Sequence, residues 1–296
     1  MSAGVDERTS TLDRPDGHAV GVRKWSSDAA PRAALVVAHG MGEHAARYRA
    51  PLAPLIAEGV RVYAYDHRGH GAAAQAAGSL GDFGPGGFAA VLGDLVAVVR
   101  AVRAENVGLP LILLGHSMGS MIAQAFVLDH AELIDGLVLS GSAAVDVVAA
   151  QGAETPDLFG AMNAPFAPGR TGFEWLSRSQ AEVDRYAADP LCGFALAPDS
   201  MVALFGQGSA LADPGRIADI PKDLPILIAS GDADPLHSML GALAPLIERY
   251  RATGLAVASR LYKKARHEIL NEINRHEVVD DLRQFVETAK DARLGG

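Results

Sequence analysis

Cysteine and clustered positive charge are scarce in this sequence of 296 residues. Its one cysteine, Cys192, has no partner for a disulfide within the chain, and a metal cluster built on cysteine ligands is excluded. The 26 Lys and Arg residues are outnumbered by 35 Asp and Glu residues, the formal net charge is −9, and no basic run stands out. Because nucleic acids are bound through clustered Lys and Arg side chains, we expect no nucleic-acid partner.

Long hydrophobic runs are also missing. No 18 consecutive residues are apolar, so the sequence predicts no membrane-spanning helix. The first residues, MSAGVDERTSTLDRPDGH, are polar and lack the apolar segment of a secretion signal. We therefore expect a cytoplasmic protein with an ordinary globular core.

Short apolar runs alternate with helical stretches along most of the chain. Six runs are rich in Val, Ile and Leu: 33–40, 60–67, 109–116, 134–141, 224–231 and 255–262. Five stretches between or after them have helical character: 47–59, 88–106, 120–132, 238–254 and 276–294. Continuous apolar runs are typical of strands buried on both faces, so the pattern predicts an α/β fold with a mostly parallel, doubly wound sheet. Residues 8–13 and 18–25 flank Asp16-Gly17 and predict an antiparallel hairpin at the sheet edge.

Residues 143–222 interrupt this alternation. They lie between two predicted strands, are too long for a simple loop, and carry apolar and aromatic residues among prolines and glycines. We interpret them as a helical cap inserted into a core of residues 1–142 and 223–296. Four side chains of the cap are candidates for the wall of a substrate pocket: Phe159, Phe166, Trp175 and Leu204. The alternative is a helical decoration that only covers the sheet edge.

Ser117 stands between Gly115 and Gly119, where an apolar run ends and a helical stretch begins. Such a sharp strand-to-helix turn raises the serine above the sheet edge, and the glycines leave room for backbone that approaches closely. The amides at the start of the helix point towards the place where negative charge would develop. We therefore predict that Ser117 is a nucleophile and that the Met118 amide is one donor of an oxyanion hole.

A second oxyanion donor is expected from the turn after an early strand. The segment His39-Gly40-Met41-Gly42 follows the first apolar run, and the glycines on both sides of Met41 let its amide turn towards the site. The sequence therefore favours Met41 as this donor.

A nucleophilic serine needs a base, and the base needs an orienting acid. In a fold of this kind the order along the chain is serine, acid, histidine, with the last two on loops after later strands. His267 follows the last predicted strand, and Asp232 and Asp234 follow the strand before it. Three other histidines are less favourably placed: His130, His237 and His276. We therefore predict His267 as the base and one of the two aspartates as the acid.

Six segments form a recognisable set. They are His39-Gly40-Met41-Gly42-Glu43-His44 with Arg47-Tyr48, Asp66-His67-Arg68-Gly69-His70-Gly71, Gly115-His116-Ser117-Met118-Gly119, Asp189-Pro190-Leu191, Gly231-Asp232-Ala233-Asp234 and Arg266-His267-Glu268. Together they resemble the monoacylglycerol lipase and lysophospholipase (serine aminopeptidase-like) branch of the α/β-hydrolases. The likeness runs from about residue 8 to residue 288. It is specific for the branch and not for a substrate.

The resemblance implies an α/β-hydrolase fold in which Ser117 is the nucleophile, His267 the base and Asp234 the acid, since the family's acid ends a G-x-x-D segment. It implies that the Met41 and Met118 amides form the oxyanion hole and that residues 143–222 are a lid over an acyl pocket. Two other residues of these motifs, His116 and Glu43, are expected to brace turns. The chain departs from the family at Ala73, where members often carry a small polar residue.

The implied activity is hydrolysis of carboxylic esters with no metal and no organic cofactor. The expected partner is a small-molecule ester, most simply a monoacylglycerol or another simple lipid ester. Two alternatives stay open: a short-chain carboxylesterase or lactone or amide hydrolase with the same triad, and a binding protein that keeps the triad without turnover. The sequence does not predict the oligomeric state.

Overall fold

The computed structural model describes residues 5–154, 158–239 and 241–295. One eight-stranded sheet lies at its centre. Its strands are β1 Asp6–Asp13, β2 Ala19–Ser26, β3 Ala33–Ala38, β4 Val60–Tyr65, β5 Leu111–His116, β6 Gly136–Ser140, β7 Ile226–Gly231 and β8 Val257–Tyr262. The six predicted strands of the parallel part and the predicted hairpin are therefore confirmed. The expectation of burial on both faces was wrong for β8, which lies at the edge of the sheet and has only Tyr262 buried.

The strand order is β1-β2-β4-β3-β5-β6-β7-β8. Strands β3 to β8 are parallel, whereas β2 pairs antiparallel with β1 and with β4. The chain winds from β3 to β4 in one direction and then returns past β3 to β5. This reversal places the carboxyl ends of β3 and β5 side by side, which is where ligands bind in open α/β sheets.

Thirteen α-helices occur in the described ranges. They are α1 Ala53–Ala57, α2 Gly71–Ala77, α3 Gly87–Glu105, α4 Met118–His130, α5 Val145–Glu154, α6 Leu158–Asn163, α7 Gln180–Ala188, α8 Pro198–Phe205, α9 Gly208–Leu211, α10 Pro214–Ala218, α11 Pro235–Ser238, α12 Leu243–Ala252 and α13 Arg275–Gly295. Short 3₁₀ turns occupy Ala45–Tyr48, Ala131–Leu133, Ala164–Phe166, Glu174–Leu176 and Ile269–Asn271. None of the helices in these ranges combines the length and the apolar character needed to cross a bilayer.

Two elements differ from the sequence-based expectation. The helix expected over residues 47–59 is regular only in α1, because Pro51 and Pro54 cannot donate backbone hydrogen bonds and Pro54 fits only the first turn. The alanine-rich α2 was not expected, since a run of alanines has no apolar periodicity although alanine has the highest helix propensity.

Apolar layers cover both faces of the sheet. On one face Val99 of α3, Phe126 of α4 and Leu246 of α12 pack together with the strands, and on the other face Ile56 of α1 and Phe285 of α13 do so. All residues of β3, β5, β6 and β7 are buried. Burial on two faces explains why these strands have no polar alternation.

Candidate active site

Ser117 lies between the end of β5 and the start of α4. Its backbone angles are φ 52° and ψ −120°, a left-handed conformation that non-glycine residues rarely adopt and that costs about 1–3 kcal/mol. Hydrogen bonds hold the strained residue in place. Its amide donates to the Ser140 carbonyl at 2.9 Å, and its carbonyl accepts the Ser120 hydroxyl at 2.6 Å. The strained turn directs the Ser117 side chain to the cavity at the carboxyl edge of the sheet.

The two glycines around Ser117 are required by close backbone approach. A Cβ on Gly115 would lie 2.5 Å from the Gly119 carbonyl oxygen, and a Cβ on Gly119 would lie 2.1 Å from the Ala38 carbonyl oxygen. Both separations are far inside van der Waals contact. The glycines therefore let α4 pack directly on the ends of β3 and β5, as the sequence pattern indicates.

His267 and Asp234 are in direct contact. Nδ1 of His267 lies 2.9 Å from Oδ2 of Asp234. The carboxylate also accepts the Ser230 hydroxyl at 3.1 Å and the Leu236 amide at 3.0 Å. Because an ionised carboxylate can only accept, Nδ1 carries the ring proton. The lone pair of the neutral imidazole is therefore on Nε2, a buried atom without a hydrogen-bond partner in the described part of the chain.

Burial and charge act in opposite directions on this pair. Burial of the ring lowers the pKa of His267, but the Asp234 carboxylate outweighs it, and the pKa of His267 lies above its ordinary value. Burial raises the pKa of Asp234. The electrostatic attraction of the His267 ring and the hydrogen bonds donated to the carboxylate lower that pKa by more, so the net shift is downward. The aspartate is therefore ionised and the histidine is a stronger base than a free imidazole.

The other predicted candidates lie elsewhere. Asp232 is exposed and its Oδ1 accepts the Lys264 amide at 2.5 Å, so it does not contact His267. His276 is exposed on α13, and His130 packs beside Phe126 at the end of α4. His237 is half-buried in α11.

Residues 39–42, which the sequence predicts to carry an oxyanion donor and which are called the oxyanion turn below, run beside Ser117. A Cβ on Gly40 would lie 3.2 Å from the Cβ of Ser117, so the turn and the serine are in contact. Met118 is the first residue of α4, where amides have no partner within the helix. Within the described ranges neither the Met41 nor the Met118 amide has an acceptor, and both residues line the same cavity as Ser117.

This cavity has a volume of about 570 Å³ and is bordered by Ser117 and His267. Trp175 and Leu204, two of the four candidates for the pocket wall, line it. The ring of Phe166 lies outside it, 4.2 Å from the Arg266 guanidinium. The side chain of Phe159 falls outside the described residues.

Other side chains complete the walls. The cavity is also lined by five apolar residues of the segment 143–222 that were not among the four candidates, and by Met121 of α4; the five are Phe173, Phe194, Phe205, Met162 and Met201. With Met41 and Met118, five of the seven methionines of the chain border it. Hydrophobicity marks these residues as buried but does not tell which of them face a cavity and which pack together.

A buried ionic cluster stands behind the site. Oε1 of Glu43 accepts the Gly40 amide at 2.5 Å and the Tyr48 hydroxyl at 2.8 Å. Arg47 donates to Glu43 at 2.6 Å and forms two bonds of 2.7 Å to Glu268, the neighbour of His267. Glu43 thus braces the turn, as expected. The cluster also links the oxyanion turn to the loop after β8 that carries His267 and Glu268, called the histidine loop below. No sequence signal pairs Arg47 with a residue 221 positions away.

The 3₁₀ turn Glu174–Leu176 belongs to the segment between β6 and β7 that carries α5 to α10, called the inserted segment below, and it contacts the histidine loop. The His267 amide donates to the Trp175 carbonyl at 3.3 Å, and the Glu268 amide donates to the Leu176 carbonyl at 2.7 Å. The Trp175 ring also lies 4.8 Å from the His267 ring. The histidine is therefore held between the sheet and the inserted segment.

One group in the described residues has metal-ligand chemistry. Ligand atoms of His44, Asp189 and Cys192 lie within 4.8 Å of one another. However, Nε2 of His44 is hydrogen-bonded to Asp189 at 3.0 Å, and burial raises the pKa of the Cys192 thiol to about 12. A protonated thiol is a poor ligand, so the group fits a hydrogen-bonded pair better than a metal site.

Known proteins are similar to this chain in sequence. The family described as serine aminopeptidase, S33, matches residues 29–274. The monoacylglycerol lipase of Mycolicibacterium smegmatis is 31% identical over 269 residues, which cover 88% of this chain and 90% of that protein. The human monoglyceride lipase is 30% identical over 272 residues, which cover 88% of this chain and 84% of that protein.

Solved structures agree on the fold. A highly thermostable carboxyl esterase from Bacillus coagulans, crystallised in complex with glycerol, superposes with a TM-score of 0.83 at 24% identity, covering 95% of this chain and 99% of that one. The chain therefore belongs to the serine aminopeptidase S33 family, in the same branch of α/β-hydrolases as the monoacylglycerol lipases, and is a carboxylic ester hydrolase.

Proposed function

We propose that Ser117, His267 and Asp234 are the catalytic triad of this hydrolase. One arrangement carries the proposal: Asp234 holds the Nδ1 proton of His267, and Nε2 has no partner among the described residues. The neutral ring can therefore accept a proton at Nε2, beside the cavity that the strained Ser117 also lines.

The reaction proceeds by acyl transfer. Oγ of Ser117 attacks the ester carbonyl carbon while its proton passes to Nε2 of His267, and Asp234 stabilises the imidazolium. The Met41 and Met118 amides donate to the oxyanion of the tetrahedral intermediate. The C–O bond then breaks, and His267 protonates the leaving alcohol. A water molecule, deprotonated by His267, attacks the acyl-serine, releases the carboxylic acid and restores Ser117.

The substrate class we propose is a monoacylglycerol or a similar lipid ester with one acyl chain. Relatives that span most of the chain are monoacylglycerol lipases by name. The cavity of about 570 Å³ is in the range of sites for one small molecule, which favours one acyl chain over three. As part of this proposal, residues 143–222 act as a lid over the acyl chain, and the enzyme works in the cytoplasm.

Two measurements test the proposal. A fluorophosphonate probe should label the wild-type protein rapidly and should not label Ser117→Ala, because only an activated serine reacts. In a separate assay, unlabelled wild-type enzyme should cleave medium-chain monoacylglycerols and aryl esters faster than long-chain triacylglycerols.

The outcomes separate the alternatives. Absence of labelling in folded wild-type protein would remove the triad and leave a ligand-binding protein. Labelling combined with a preference for acetyl esters, lactones or amides would keep the triad and overturn the lipid-ester assignment.

A further inference from the structure

Three buried histidines stand behind the oxyanion turn. The ring centroids of His39 and His67 are 4.3 Å apart, and those of His39 and His70 are 5.1 Å apart. All three side chains are almost fully buried, and none of them lines the cavity around Ser117. They reach the site through the backbone of the turn and, for His70, through the ring of Phe194, which lies 5.1 Å away and lines the cavity.

His39 orients the peptide that contains the Met41 amide. Its Nε2 accepts the His67 amide at 3.1 Å, so the ring proton is on Nδ1, which donates to the Gly40 carbonyl at 2.8 Å. The carbonyl and the amide of one trans peptide point in opposite directions. Because the Gly40 carbonyl is directed at His39, the Met41 N–H points away from the histidines.

His70 holds the next peptide along the chain. Its Nδ1 lies 2.9 Å from the Arg68 carbonyl oxygen, which can only accept, so the ring proton is on Nδ1 and the lone pair is on Nε2. That lone pair accepts the Gly42 amide at 3.3 Å. The Gly42 carbonyl in turn accepts the Tyr186 hydroxyl at 2.7 Å. Gly42 is therefore anchored through both its amide and its carbonyl.

The anchors depend on uncharged rings. Burial lowers the pKa of all three histidines, that of His70 to about 3. At neutral pH Nε2 of His70 therefore keeps its lone pair. Gly42 has a positive φ of 62°, and a Cβ there would lie 2.5 Å from the Phe194 carbonyl oxygen, so the backbone at this residue has little freedom to move.

We propose that His70 is a positioning residue for ester hydrolysis: by accepting the Gly42 amide, it keeps the Met41 amide directed at the oxyanion. The inference rests on the proposed function, in which the Met41 amide is an oxyanion donor. His70 does not line the cavity and meets its wall only through the ring of Phe194, so its effect should fall mainly on the transition state. A donor that binds only the developing oxyanion changes kcat and leaves KM largely unchanged.

The test compares His70→Leu, which removes the acceptor, with His70→Gln, whose side-chain oxygen can accept the same amide. Loss of an oxyanion donor costs about 10²- to 10³-fold in kcat, so displacement of the donor in His70→Leu should cost about 10- to 100-fold, with KM changed less than about threefold. Inhibition by a trifluoromethyl ketone, which forms an oxyanion adduct on the serine, should weaken by the same factor. His70→Gln should recover most of both losses. His276→Leu, at an exposed position on α13, is the matched control and should behave like the wild type.

Several results would overturn the inference. They are an unchanged kcat in folded His70→Leu, a loss confined to KM, or equal losses in His70→Leu and His70→Gln with unchanged ketone inhibition. If His70→Leu does not fold, Tyr186→Phe removes one of the two donors to the Gly42 carbonyl and leaves the Gly193 amide at 3.0 Å. In that variant kcat and ketone affinity should fall together by a smaller factor, and unchanged ketone affinity would count against the inference. Fluorophosphonate labelling of the wild type is scored first, because its absence refutes the proposed function and not this inference alone.

Discussion

At the scale of single residues, two aspartates two positions apart have different surroundings. Asp234 is fully buried and bonded to His267, whereas Asp232 is exposed and bonded to a backbone amide. We expect Asp234→Asn to lower kcat by about 10⁴-fold, because the amide no longer holds the imidazole in the required tautomer. Asp232→Asn is the matched control and should change kcat less than about tenfold. Steady-state kinetics on both variants decide the assignment, and exchanged behaviour would reassign the acid.

The pH dependence belongs to His267. The ring must be neutral to take the proton of Ser117, so kcat/KM should fall as the pH drops through the pKa of His267. Because Asp234 raises that pKa above its ordinary value, the midpoint should lie above 6.5. In Asp234→Asn the opposing effect of burial remains, so the midpoint should move to lower pH. A rate profile that stays flat to pH 4, with circular dichroism showing a folded protein, would contradict a histidine base.

Residue types with strict geometric demands were the easiest part of the site to predict. Gly115 and Gly119 are needed because backbone comes too close for a side chain, and that requirement leaves a mark in a single sequence. Arg47 and Glu268 both stand in the segments that carry the resemblance, but nothing in a single sequence indicates that they pair. Their pairing arises only when remote parts of the chain meet, and an arginine or a glutamate is equally common on a solvated surface.

At the scale of elements, the inner strands β3, β5, β6 and β7 were predictable because burial on both faces imposes a continuous apolar run. The extent of the helix expected over 47–59 was not predictable, because Pro51 and Pro54 keep its regular part from beginning before residue 53. In the inserted segment, apolar residues indicate helices without telling which side faces the sheet and which faces a cavity. Trp175 and Leu204 reach the cavity and Phe166 does not, although all three look alike in the sequence.

The walls of the cavity should set the preferred acyl length. Leu204 on α8 is buried and lines the cavity, so Leu204→Ala should lengthen it. Each additional buried methylene is worth about 0.8 kcal/mol, or about fourfold in kcat/KM, and the preferred chain should become longer by one or more carbons. Phe166→Ala is the matched control, because its ring lies on Arg266 outside the cavity. A series of monoacylglycerols on both variants, with unfolding monitored, provides the measurement. An unchanged preference in Leu204→Ala would place the length limit elsewhere.

At the scale of the whole molecule, the order of the strands explains why residues so far apart in the chain can act together. Ser117 follows β5, Asp234 follows β7 and His267 follows β8, and all three strands are parallel. Their carboxyl ends therefore meet at one edge of the sheet. The α/β alternation in the sequence predicted this edge, whereas the volume and shape of the cavity above it depend on side-chain packing that no local pattern records.

The backbone bonds between Trp175 and His267, and between Leu176 and Glu268, limit how freely the two parts of the protein can be exchanged. A chimaera that received the inserted segment of another hydrolase would lose more than its preference for a substrate. Unless the donor segment supplied two carbonyls at the same places, the loop that carries the histidine would lose part of its support. The enzyme is therefore less modular than its division into a sheet and an insertion suggests, and recombination is best attempted with crossover points that keep residues 174–176 with their own histidine loop.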